Sequence, residues 1–155
     1  MTDPFQTVTP EARAQARGLL DAATFAALAV TQDGCPSVTR IGLATTADGA
    51  PLSLVSQLSP HTVAMEAHPA CALLVGEPGP KGDPLTHPRL TLHCTARLVE
   101  RDTPEHGPLR ERYLSLRPKA ALYADFGDFR FVVFEVQNAL LNGGFGKAFK
   151  FDAAP

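Results

Sequence analysis

Apolar positions along the chain group into six runs of strand length, punctuated by turn residues, with helical spacing confined to a few short segments. The first element is helical. Thr9-Pro10-Glu11 supplies a capping threonine, a proline in the first turn and an early acid, and Ala12, Ala16, Leu19 and Leu20 follow at helical spacing. Residues 24–31 read as a strand that turns at Asp33-Gly34 into a second, Val38 to Thr46, with Ile41 and Leu43 on one face and Arg40 and Gly42 on the other. Asp48-Gly49 turns the chain into a third strand ending at Ser56, and a short helix runs from Pro60 to Ala67, stopped by Pro69. The run Ala70 to Val75 is apolar throughout and predicts a central strand. A loop dense in glycine and proline follows, from Gly76 to Pro88. The fifth strand, Arg89 to Val99, alternates cleanly: Leu90, Leu92, Cys94, Ala96 and Leu98 share one face, and Arg89, Thr91, His93, Thr95 and Arg97 the other. Pro104 to Leu116 and Lys119 to Tyr123 read as helices. Phe129 to Val136 reads as a sixth strand, aromatic and β-branched on both faces and so buried on both.

Six strands joined by hairpins, with one helix inserted after the third, predict a mainly β (α+β) fold. The expected architecture is a six-stranded antiparallel barrel with Greek-key connections and a few short peripheral helices. Residues 1–155 read as a single domain, with an N-terminal helical segment over 1–22. The tail over 142–155 holds too many glycines for a regular element, and its bare backbone can approach a ligand.

Composition narrows the function classes. Of 155 residues, 45% are hydrophobic and 19% charged, the balance of a globular protein, and the formal net charge of −2 gives no basic field for nucleic acid. No apolar run approaches the span of a membrane helix and no secretory leader is evident, so the expectation is a cytoplasmic protein without membrane contact. Three cysteines, Cys35, Cys71 and Cys94, have no close sequence pairing. They predict neither a disulfide framework nor a zinc site, and Cys71 and Cys94 read as buried structural thiols.

The stretch with the clearest chemistry is Ser56-Gln57-Leu58-Ser59-Pro60-His61-Thr62, where a strand runs through a short turn into a helix. Ser59 fits the N-cap and Pro60 the first helical position. A helix start presents unpaired N–H groups and partial positive charge, which favours an anion, and His61 and Thr62 add side-chain donors. This turn is therefore a candidate cradle for a cofactor phosphate, with Arg40 as a cation able to grip it bidentately. Gly42, beside Arg40, is expected to leave room for a flat ring. His61 and His68 are too far apart along the helix to share a metal, so no metal site is expected.

Three stretches, the strand–turn–helix Ser56 to Thr62, the strand Arg89-Leu90-Thr91-Leu92 and the tail Gly143-Gly144-Phe145-Gly146-Lys147-Ala148, resemble the FMN-binding split-barrel family that includes pyridoxamine 5′-phosphate oxidase. Their order is most similar to the branch that contains haem-utilisation proteins. The resemblance implies a homodimer of six-stranded split barrels with FMN at the subunit interface and a small-molecule substrate. By it, Ser56, Gln57, Ser59, His61 and Thr62 would hold the phosphate with Arg40, and the flavin ring would lie near Thr39 and Arg40. From the partner subunit, Arg89, Thr91, Phe145 and Lys147 would close the site. It implies an FMN-dependent oxidoreductase, or else a carrier of haem or flavin without turnover; a deazaflavin is a further cofactor option. The chain departs from pyridoxamine phosphate oxidase proper in having Pro60-His61 where that enzyme has an Arg/Lys pair, which argues against vitamin B6 oxidation. It also has no histidine after His106, whereas haem-degrading members use a late one.

Overall fold

A computed structural model describes residues 2–155. Helix α1 (Pro10–Ala22) precedes the hairpin β1 (Phe25–Gln32) and β2 (Cys35–Gly42), followed by β3 (Ala44–Thr45) and β4 (Pro51–Ser56). Helix α2 (Pro60–Ala67), β5 (Ala70–Val75), β6 (Arg89–Val99), α3 (His106–Leu116), β7 (Phe129–Asn142) and β8 (Ala148–Phe151) complete the order. Short 3₁₀ turns stand at Pro84–Thr86 and Pro118–Leu122. All strand pairings are antiparallel, in the order β2-β1-β5-β6-β7-β4-β3, with β8 on β7.

The expected mainly β, antiparallel architecture is present, but the count of six strands is corrected to eight. The run Val38 to Thr46 breaks at Leu43. That residue's N–H donates to Thr24 O (2.9 Å), and its carbonyl accepts from Arg117 Nε (2.7 Å), so neither backbone group enters a strand ladder. The chain bends there, and its two halves, β2 and β3, end up at opposite ends of the sheet order. The bend thus curls the sheet toward closure, a geometry consistent with a split barrel. Ser53 Oγ, donating to Gly42 O at 2.5 Å, ties the bend to β4.

The sixth expected strand ends at Val136 in sequence terms but continues to Asn142. Where His93 faces Asn138 and Cys94 faces Val136, Gln137 is the extra residue of a bulge, which bends β7 and lets it run on. The tail is corrected as well. Its glycines are confined to a turn closed by Gly143 N–H to Lys147 O (2.8 Å), after which Phe149 and Phe151 alternate inward from β8. Local signals set the remaining elements. Thr9 Oγ1 accepts from Ala12 N at 3.1 Å, and α1 buries Ala12, Ala16 and Leu20. Asp33 and Gly34 take φ of 51° and 76°, the left-handed pair a two-residue hairpin requires.

The core splits in two. One cluster joins α1, α2 and the inner faces of β1, β5, β6 and β7 around Leu28, Leu73, Leu92 and Phe134. The second packs α3 on β4 and β7 around Leu52, Tyr113 and Phe131. Near the end of β6, Leu98 serves the first and Val99 the second, which is why its alternation fails there. Cys71 and Cys94, far apart in sequence, stand directly opposite each other across β5 and β6. Burial pushes their thiols up to about 11 and about 12, which makes both poor nucleophiles. Among the described residues no helix is long and apolar enough to cross a membrane.

Candidate functional site

Two features meet at Thr39: the turn before α2 and a groove outside the sheet. At the turn, Ser56 ends β4 opposite Phe129, and its hydroxyl donates to Asp128 Oδ2 (2.7 Å) while accepting from Leu58 N–H (3.1 Å). Gln57 is exposed, and its N–H donates to Asp128 O (2.6 Å). Thr62 is fully buried and gives its hydroxyl proton to Ser56 O (2.6 Å), so it shapes the turn from inside. Ser59 holds the N-cap position as its sequence predicts, but its hydroxyl makes no capping bond. His61 is half-buried, and its Nδ1 lies 3.0 Å from Thr39 Oγ1.

Desolvation lowers the His61 pKa below its ordinary value. The imidazole is therefore neutral near pH 7, and one ring nitrogen remains after the Thr39 contact. In the unfolded chain it titrates near pH 6.5. Below that pH the unfolded state binds the extra proton more readily, so His61 makes stability fall as pH falls. His61→Gln should flatten that acid-side slope in denaturation midpoints measured from pH 7 to pH 5; a slope identical to wild type would show that the desolvation is not felt.

The groove has a volume of about 720 Å³. The outward side of α1 forms one wall with Leu19 and Ala22, and β1, β2 and β5 lay an apolar floor of Ala27, Val38 and Leu74. Gly76, Glu77 and Pro88 close one end. Arg40 enters from β2 with its guanidinium carbon 5.2 Å from the centre of the Phe25 ring, a cation–π contact. No carboxylate lies within ion-pairing distance of it among the described residues. Thr39 lines the groove and also holds His61, which joins the groove to the turn.

The other anticipated residues lie away from the turn within one protomer. Arg89 is anchored to Leu85 O (3.1 Å) and His87 O (3.4 Å) at the foot of the long loop. Thr91 sits on the outer face between Leu74 and Leu140. Phe145 and Lys147 are exposed on the glycine turn. The space expected over Gly42 for a flat ring is filled: a Cβ placed there would meet Tyr113 Oη at 2.8 Å. Burial pushes that phenol up to about 12, so it stays neutral. The long loop is ordered around Lys81-Gly82-Asp83. Asp83 Oδ1 accepts from Leu85 N–H, and His87 is held between Gly79 N–H and Lys81 O.

Sequence reasoning missed Asp128 as a neighbour of the turn. It stands 72 positions from Ser56, and no local pattern could place it there.

A curled antiparallel sheet bent toward closure, with an external groove at its second strand, is the architecture of a split barrel. The chain belongs to the pyridoxamine 5′-phosphate oxidase family, whose model matches residues 12–142. It is 37% identical over 119 residues to the chloroplastic non-canonical haem oxygenase HOZ of Arabidopsis thaliana, a match covering 76% of this chain and 35% of that protein. A solved haem-binding protein from Mycobacterium smegmatis superposes with a TM-score of 0.83 at 27% identity, covering 94% of this chain and 60% of that one. A further solved chain, 43% identical, superposes with a TM-score of 0.84 over 95% of both chains. The chain thus spans about a third of the length of the haem oxygenase and three fifths of the haem-binding protein.

Proposed function

We propose that this protein binds haem, with the macrocycle in the groove between α1 and the sheet. The observation that carries the reading is Arg40: an unpaired guanidinium at an apolar groove of about 720 Å³ suits a flat apolar ligand that carries acid groups. A propionate would take the guanidinium, and Ala27, Val38 and Leu74 would face the ring. Thr39 borders the groove and contacts His61 Nδ1, but His61 does not itself line it, so what the groove offers such a ligand is the Arg40 cation and the apolar floor. The names of the two relatives support haem as the ligand class. When bound, haem would supply iron-centred redox chemistry; the residues named here bind and orient it.

Haem titration followed by the Soret band tests this. Wild-type protein should saturate near one haem per chain. Arg40→Ala should weaken binding by about 2 kcal/mol, roughly thirtyfold, through loss of a charge-assisted bond. Equal affinity in the two proteins would remove Arg40 from the site.

The second reading is an FMN-dependent oxidoreductase, and a specific feature favours it: the Ser59 hydroxyl and His61 Nε2 make no hydrogen bond at the α2 start. In either reading a second copy would cover the outer face of β2, β1, β5 and β6, where Val38 and Leu74 are exposed, and would bring in Arg89, Thr91, Phe145 and Lys147. Sedimentation at micromolar concentration checks that dimer.

A further inference from the structure

We propose that Asp128 determines what the turn before α2 can hold: its carboxylate occupies, by way of Ser56, the place of an external phosphate and keeps a phosphate dianion out of this turn, which sets the inference against the FMN reading. Most donors at this helix start can be followed to an acceptor, and Pro60 has no N–H to offer; the His61 N–H is the backbone donor left without one among the described residues. Leu58 N–H goes to Ser56 Oγ at 3.1 Å, and the same hydroxyl passes its own proton to Asp128 Oδ2 at 2.7 Å. Gln57 N–H goes to Asp128 O at 2.6 Å, Ser59 N–H to Ser56 O at 3.1 Å, and the Thr62 hydroxyl to Ser56 O at 2.6 Å. Thr62 N–H and Val63 N–H both return to Ser59 O, at 3.0 and 3.3 Å. What remains is neutral: the His61 N–H, the Ser59 hydroxyl, the Gln57 amide and one ring nitrogen of His61.

The charge balance points the same way. A phosphate needs a cation as well as donors. No arginine or lysine occurs between Arg40 and Lys81 in the sequence. Arg130, two residues beyond Asp128, is already paired with Glu66 and Glu100. Asp128 itself has no ion-pair partner among the described residues. Arg101, the guanidinium that reaches the carbonyls flanking Asp128, donates only to backbone oxygens, those of Ala124, Asp125, Phe126 and Phe129, so Asp128 has no direct counter-charge beside the turn, and repulsion there adds to the loss of donors. The turn keeps the backbone shape of an anion cradle while supplying its own anion. This inference concerns the turn and not the groove, so haem binding can fail without touching it.

The test is an amide-resolved NMR titration of the full chain with inorganic phosphate at constant ionic strength, following the backbone resonances of His61 and Thr62. Wild type should show no saturable shift. Asp128→Asn removes the charge but keeps an acceptor for Ser56, and should gain a saturable shift with at least tenfold tighter phosphate binding. Should that variant not fold, Asp128→Ser makes the same comparison. Saturable binding by wild type at the variant's affinity would overturn the proposal, and so would a variant as unresponsive as wild type.

Discussion

Gly76→Ala should destabilise the protein by about 3 kcal/mol, the sum of a left-handed backbone and a collision that cannot relax cheaply. Gly76 has φ of +102° at the end of β5, and an added Cβ would lie 2.6 Å from Pro88 O and 2.8 Å from Arg89 Cα. Both obstacles are backbone, in the segment that opens β6, so no side chain can swing aside. This contact is the neck of the long loop and the closed end of the groove, which should also lose ligand affinity when the neck is forced apart. Gly82→Ala is the control. Gly82 has φ of +80° but open space around it, and should cost only about 1 kcal/mol for its backbone conformation. Urea midpoints with a shared slope measure both. Equal losses would mean that the crossing at Pro88 is loose.

Those two glycines look alike in the sequence, and the difference between them marks how far a sequence can be read. Strand β6 and helix α2 occur at the bounds their patterns predict, because alternation, a proline at the first helical position and a stopping Pro69 are local signals. The turn Ser56 to Thr62 was equally legible as backbone. Its chemistry was not, since that depends on Asp128 arriving from β7's approach, and the acceptor for each hydroxyl is a tertiary fact. The same holds at Leu43. Its run reads as one strand until Arg117, 74 positions on, takes its carbonyl and bends it. Gly42 read as open space and is filled by Tyr113 from α3. In β8 the reverse occurred: a plain alternation around Phe149 and Phe151 was masked by the density of glycine just before it.

Removing both acids that hold Arg130 should cost far more than removing Arg130 itself. The guanidinium is buried between β7 and α2, with its side chain 10% exposed, and donates to Glu100 at 2.6 Å and to Glu66. The two glutamates are 46% and 60% exposed, so they can return to water when the arginine is gone. Arg130→Met therefore strands no buried charge. It also removes Arg130 Nε, a buried donor without a partner, whose burial costs about 1–3 kcal/mol. A net loss of about 1–2 kcal/mol follows for that variant, mostly from imperfect packing of the new side chain. The double variant Glu66→Gln/Glu100→Gln leaves a cation in a low-dielectric site with no counter-charge, which costs about 3–5 kcal/mol. Urea denaturation of the three proteins decides the order, and the reverse order would show that the freed guanidinium reaches water. Because Glu66 stands on α2, the double variant should also loosen that helix against β7. Amide exchange should then rise along α2 from His61 onward, where the turn and the groove share Thr39.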